Sequence, residues 1–241
     1  MWRSEIPRSI YARLYARWRR VRREVEIIAS ILRRFGARRV IEFGCGLGRH
    51  GYLLSRMGYE VVLSDIYDQR FGVAKRLPFA RYDLLEGGSI GIFDAGYAVG
   101  VITLFEYRDI VRVLRNIGEN IAGGGVFIFD YNFTSYVDPE RVDIKINGRR
   151  YTAILERNSY KPLDSGLIYQ YRVRVVDEEG RTVGVEEASY PIYNKEKLFR
   201  AIEEAGYRIK DIVWVSWDPV EYIYKPSPRE ADSAFIAISK E

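Results

Sequence analysis

Cysteine and histidine are almost missing from this chain: Cys45 and His50 stand alone among 241 residues. A lone cysteine excludes an intramolecular disulfide and suits a reducing, cytoplasmic setting. One of each cannot supply a Cys/His zinc cluster, and no carboxylate spacing suggests another metal site. Glutamine occurs only at 69 and 170, and 30 of the 38 basic residues are arginine, a bias that hints at a thermophile. No apolar run approaches the ~18 residues that a membrane-spanning helix needs. Arg3 and Arg8 are followed by no apolar stretch, so no signal peptide is expected. Internal repeats and low-complexity tracts are absent.

What is present fits one large domain with an insertion: 47% of the residues are hydrophobic, enough for an ordinary core. The net charge of +5 is unevenly placed. Eight arginines crowd residues 1–23 against Glu5 alone, and the remainder is slightly acidic. Basicity therefore belongs to one segment and not to the fold.

Apolar residues at spacings of three and four (Ile10, Leu14, Trp18, Val21, Val25, Ile28, Leu32) predict one long helix over 9–34, ended by Gly36. Strands are predicted at 40–43, 60–64, 81–84, 93–101 and 126–131, with helices at 49–57 and 110–121 and a turn at 123–125. Strands alternating with helices imply a parallel sheet. From 141 to 190 the pattern changes to short alternating segments, separated by Asn147-Gly148, Asp164-Ser165-Gly166 and Glu178-Glu179-Gly180. Those turn signals predict an antiparallel insertion. A helix at 195–205 and strands at 207–217 and 234–239 close the chain.

The richest motif follows the first core strand: Glu42-Phe43-Gly44-Cys45-Gly46-Leu47-Gly48-Arg49-His50. Alternate glycines let the backbone turn sharply and approach a ligand, and the next helix aims free N–H groups at it. Two patterns overlap. Gly46-x-Gly48-x-x-Gly51, with Asp65 beyond, satisfies a dinucleotide fingerprint and leaves an NAD-dependent oxidoreductase open. Glu42-x-Gly44-x-Gly46-x-Gly48 resembles motif I of the class I S-adenosylmethionine (SAM) methyltransferases. The tail discriminates between them: Leu198–Tyr207 with its Ala-Gly-Tyr ending, then two strands, is similar to the closing helix and hairpin of that family. The insertion is similar to that of glycine and amino-sugar N-methyltransferases.

This resemblance implies a doubly wound, seven-stranded, mostly parallel Rossmann-like α/β sheet with an antiparallel insertion after strand five. It implies an N-terminal helical lid over 1–38, a core of 39–135 and 191–241, and a substrate cover over 136–190. It further implies a SAM cofactor. Gly44, Cys45 and Gly46 would lie under its methionine part, Glu42 would orient the loop or meet the cofactor amino group through water, and Asp65 would accept from both ribose hydroxyls. Ile66 would pack on the adenine, Asp83 with Leu84 would meet its amino group, and Val99 and Gly100 would flank the methionine chain. Arg19 or Arg22 is expected at the SAM carboxylate.

Ligands sit at the carboxyl ends of parallel strands, so Thr103, Glu106 and Tyr107, then Asp130, Tyr131 and Asn132, are expected to face the acceptor. Glu106, Tyr107 and Tyr131 are the catalytic candidates. Thr103 and Asn132, with Tyr11 and Tyr15 resembling tyrosines that close over amino-sugar sites, are the substrate candidates. His50 is expected to satisfy a local backbone group, and Cys45 to pack beside the cofactor. The acceptor is expected to be a small-molecule amine and the protein a monomer or homodimer. The Arg-rich first helix, interleaved with Tyr11, Tyr15 and Trp18, keeps RNA open as an alternative substrate.

Overall fold

The central strands carry apolar residues on both faces, which only a sheet covered on both sides can bury. The computed structural model describes residues 2–134, 140–218 and 221–240 and shows that sheet. Its elements run β1 (Trp2–Ser4), α1 (Arg8–Leu14), α2 (Trp18–Arg34), β2 (Arg39–Phe43), α3 (Arg49–Arg56), β3 (Glu60–Asp65), β4 (Phe79–Arg81), β5 (Phe93–Ala98), α4 (Tyr107–Ile117) and β6 (Ile121–Asn132). Then follow β7 (Arg141–Ile146), β8 (Arg149–Leu163), β9 (Gly166–Asp177), β10 (Thr182–Tyr193), α5 (Lys195–Glu204), β11 (Tyr207–Asp218), β12 (Ile223–Pro226) and β13 (Ser233–Lys240).

The larger sheet has the order β12-β11-β13-β6-β5-β2-β3-β4. Strands β4, β3, β2, β5 and β6 pair in parallel. Antiparallel β13 slots in beside β6, followed by β11 and β12. The sheet therefore has eight strands among the described residues, one more than expected, because β12 extends the closing hairpin. One face packs on α4 and α5 through Ile110, Leu114, Leu198 and Ile202. The other packs on α2 and α3 through Val25, Ile28, Leu32 and Leu54.

Three expectations are corrected. The first helix is two helices, because their apolar faces serve different partners. On α1, Ile10 and Leu14 pack with Ile144, Ala153 and Val175 of the insertion. On α2, Val21, Val25 and Ile28 pack on the main sheet. Arg17 between them takes an extended backbone (ψ 135°) and no glycine or proline signals the break. The third core strand ends at Arg81, so Asp83 and Leu84 follow it. Glycines 123–125 lie inside β6 as a bulge: Phe93 faces Ile121 but Ala95 faces Val126.

The smaller, antiparallel sheet has the order β1-β10-β9-β8-β7. The N-terminal strand β1 thus joins the insertion, Ser4 opposite Glu186. Its inner face meets α1 at one end and, through β10, the carboxyl tips of the main sheet at the other.

Candidate functional site

Chain order reverses between β2 and β5, the place where open α/β sheets leave a crevice. The glycine loop fills that point. Gly44 has φ +67° and its missing Cβ would stand 2.6 Å from Val101 Cγ2. Gly46 has φ +49° and faces open space, with no atom within 4 Å of a Cβ there. The first glycine is thus needed for packing and the second for access. Gly51 lets α3 settle on β3, since a Cβ would meet Leu63 Cδ2.

Asp65 closes the loop from the end of β3. Its Oδ2 accepts the Gly46 N–H at 2.8 Å. Burial raises its carboxyl, opposed by backbone N–H groups of Gly46, Tyr67 and Ile66. Ile66 beside it is an exposed apolar side chain. The Tyr82 N–H donates to the Asp65 carbonyl, which brings Asp83 alongside. Asp83 Oδ1 accepts the Leu85 N–H at 2.8 Å, and buried Leu84 offers its carbonyl to Asn116. Across the reversal point, Val99 is half-buried and Gly100 exposed. The Gly100 N–H donates to Asp130 Oδ1 at 2.6 Å. Burial lifts the Asp130 carboxyl to about 6. The Cys45 thiol is pushed up first by burial, then by Glu42 and Asp65, so it is no nucleophile.

A buried polar string runs beneath the loop. Glu42 Oε2 accepts from the Gly51 N–H and from the Tyr97 hydroxyl, each at 3.0 Å. His50 Nε2 lies 2.7 Å from Glu24 Oε2, and its Nδ1 lies 3.6 Å from Glu42 Oε1. Arg20 Nε donates to Glu24 Oε1 at 2.7 Å. His50 therefore bridges two buried carboxylates and does not serve a local backbone group as expected. Burial alone would lower its pKa, but hydrogen bonding to Glu24 and the charges of Glu24 and Glu42 raise it. Burial would raise Glu24, yet Arg20 and His50 pull it below the usual carboxylate range. Glu42 is pushed up by burial to about 7. Glu24 was legible in principle: it interrupts an apolar stripe at a buried position of α2.

The cover supplies tyrosines. The Tyr11 and Tyr15 rings meet at 4.9 Å between centroids, tilted by 55°. Tyr11 titrates high through burial first, then the charges of Glu186 and Asp65, with Arg20 opposing. That places α1 between the insertion and the glycine loop. Thr103 and Asn132, from separate strand ends, line one small cavity with Tyr169, Tyr190 and Ile192.

Other expected residues lie elsewhere. Arg19 pairs with Glu221 at 3.0 Å in an open cleft of about 1020 Å³ between α2, α3 and β12. Its neighbour Arg20 points inward instead, over Trp217 and Tyr224, with its charge felt at Asp130. One residue is a 100° step around a helix, and the sequence pattern did not fix the rotation. Tyr131 is fully buried and its hydroxyl accepts the Tyr193 N–H at 2.9 Å, so it cannot touch an acceptor. The Tyr107 hydroxyl donates to Glu204 at 2.7 Å and Lys197 lies over its ring, on the α4–α5 seam. Glu106 is exposed at the N-terminal cap position of α4 and its side chain makes no capping hydrogen bond there. Among the described residues no cluster of potential metal ligands occurs, and no helix is long and apolar enough to cross a membrane.

No protein-family model and no curated protein matches this sequence. Solved structures do. A SAM-dependent methyltransferase from Clostridium acetobutylicum ATCC 824 aligns over 96% of both chains with a TM-score of 0.69 at 15% identity. The sugar N-methyltransferase KedS8 from Streptoalloteichus sp ATCC 53650 aligns over 93% of this chain and 90% of its own, with a TM-score of 0.69 at 16% identity. SAM-bound CalS10, an amino pentose methyltransferase from Micromonospora echinaspora, aligns over 90% of each chain with a TM-score of 0.64 at 16% identity. The protein is built on the fold of the SAM-dependent methyltransferases, antiparallel insertion included.

Proposed function

We propose that this protein is a SAM-dependent methyltransferase acting on a small-molecule amine. The observation that carries the reading is the pairing at the reversal point: Gly46 opens onto empty space while its N–H is tied to Asp65. An adenosyl group laid on that loop meets a carboxylate suited to a ribose diol, then Ile66 for the adenine face, with Asp83 and Leu84 at the base edge. Gly44, Cys45, Val99 and Gly100 border the amino-acid end. Arg20 is better placed than Arg19 for the SAM carboxylate: it turns inward over Trp217 and Tyr224, with Nε held by Glu24.

Bound SAM supplies an activated methyl group on a sulfonium. The chain's own residues then have little covalent chemistry to do. They must hold the acceptor in line and exclude water. The insertion and α1 enclose the strand tips, and Thr103 and Asn132 border the space on the acceptor side. The amine leaves one proton to solvent or to a neighbouring acid, and Asp130, bonded to the Gly100 N–H and lifted to about 6, is one acid at the strand tips suited to take it.

The alternatives fare worse. A dinucleotide enzyme would continue with a second parallel half, whereas here antiparallel β13 occupies the space beside β6. Four of the eight arginines of the N-terminal segment have partners within the chain: Arg17 with the Arg13 carbonyl and the Tyr222 ring, Arg19 with Glu221, Arg20 with Glu24, Arg23 with Glu26. The reading is tested by calorimetric titration with S-adenosylhomocysteine and NAD. Micromolar binding of the first and none of the second is expected, and the reverse pattern overturns the proposal.

A further inference from the structure

The three residues that follow the glycine bend tie it to three other parts of the chain. His50 reaches Glu24 on α2, and the Gly51 N–H reaches Glu42 on β2. Arg49, which opens α3 directly behind left-handed Gly48, reaches α1. Its Nη1 donates to the Ala12 carbonyl at 3.0 Å and to the Ala16 carbonyl. Ala12 lies in the last turn of α1, and Ala16 in the break before α2. The last carbonyls of a helix have no partner within it, and that end of the helix favours a cation. The Arg49 guanidinium carbon also lies 4.6 Å from the centre of the Trp18 ring. Among the described residues this half-buried cation is held by carbonyls and a ring and by no carboxylate.

The other end of α1 is held too. Arg8, its first residue, donates from Nη2 to the Asp68 carbonyl at 3.4 Å. Asp68 lies three residues beyond Asp65, the end of β3. That stretch turns back to the glycine bend, since the Phe71 N–H donates to the Leu47 carbonyl at 3.2 Å. One end of α1 therefore rests on the bank after β3 and the other on the bank after β2. Those banks are the two sides of the hollow assigned to the cofactor. The apolar side of α1, Ile10 and Leu14, is packed on the insertion. The extended backbone at Arg17 separates α1 from α2. The strap can thus lift with the cover while α2 stays on the main sheet.

We propose that Arg49 is a positioning residue that pins α1 across the cofactor hollow and so sets how fast the cofactor exchanges. The assignment rests on the methyltransferase reading and deepens it by naming what controls access to that site. The pin is made by protein groups alone, so it holds the empty and the filled hollow alike. Breaking it quickens entry and departure together and leaves the affinity nearly unchanged. A group that touched the cofactor would change the affinity instead. Arg49 is assigned no part in the methyl transfer.

The test follows S-adenosylhomocysteine binding to the immobilised full chain by surface plasmon resonance, with affinity from calorimetry. Arg49→Met keeps an unbranched stem over Trp18 and removes the bonds to both carbonyls. It is expected to quicken association and dissociation each about tenfold, the loss of one charged hydrogen-bonding group, with Kd within about threefold. Arg49→Lys keeps the charge and should give intermediate rates, which guards against a folding defect in the first variant. Arg8→Met removes a longer, exposed bond and should quicken both rates about twofold. Amides of α1 should exchange faster in Arg49→Met while those of α2 and β2 stay protected. A merely structural role would lower the melting temperature and move neither rate. Unchanged rates in the folded variants, or a tenfold loss of affinity with association unchanged, overturns the inference. Failure of the wild-type protein to bind S-adenosylhomocysteine overturns the methyltransferase reading, and the inference with it.

Discussion

The two sheets solve opposite problems. The larger one is buried on both faces: every residue from Ser233 to Ser239 in β13 is inaccessible. The smaller one is buried on one face, and along β9 most residues keep partial exposure. Its outer face carries ion pairs such as Arg172 and Arg174 with Glu156. A doubly covered sheet cannot shift without opening a core. A singly covered sheet can be re-lined on its inner face at little cost to the rest. On the proposed reading, the rigid sheet ends in the loop that would seat the cofactor, and the adaptable sheet presents the side chains that would distinguish acceptors.

The sharpest way to break that contrast is to undock the cover. Ile10 is 3% exposed between α1 and the insertion. Ile10→Ala should cost about 2–5 kcal/mol locally. Hydrogen exchange should quicken across β7 to β10 while β2, β5, β6 and β13 stay protected. Equal acceleration of both sheets would show one cooperative unit and end the contrast.

Asp65→Ala probes the rigid side. Loss of a charged acceptor is expected to weaken S-adenosylhomocysteine binding at least tenfold by calorimetry, about 1.5–3 kcal/mol. Unchanged affinity would move the ribose away from β3.

A smaller effect is a pH dependence of stability arising beneath the loop. Glu42, raised to about 7, and Asp130, raised to about 6, favour their protonated forms in the folded protein. The stability they lend is full below the ordinary carboxylate range and lost as pH rises through those values. His50, raised above its ordinary value, lends stability below about 6.5 that is lost at higher pH. Glu24 runs the other way, but only at acid pH. The melting temperature should therefore fall from pH 5.5 to 8, by about 2–4 °C for each kcal/mol in a chain of this size. Glu42→Gln should flatten the curve; an equally steep curve would remove Glu42 from the account.

The least effect is expected from Tyr107→Phe. Its hydroxyl serves Glu204 on the α4–α5 seam, so label transfer from SAM should stay within about twofold of wild type. A large loss would return Tyr107 to the active site.

The legible and illegible parts divide along the same line. The glycine loop, the place of Asp65 at the end of β3 and the closing hairpin could be read because backbone conformation and strand ends dictate residue type directly. The break between α1 and α2 could not, since Leu14 and Trp18 keep a continuous helical spacing across it. Nor could the outward turn of Arg19, the inward turn of Arg20 or the burial of Tyr131 be foreseen. Those depend on helix rotation and on which face of β6 meets α5. The His50 bridge joins α2, α3 and β2, and no local pattern links three elements.

The account's central claim is that the bend after β2 seats an adenosyl group with Asp65 on its sugar. A crystal structure with S-adenosylhomocysteine tests it most directly. Both ribose hydroxyls should lie within hydrogen-bonding distance of Asp65, with the adenine against Ile66. An adenosyl group bound anywhere else, with the Gly44–Gly48 bend vacant, would contradict it.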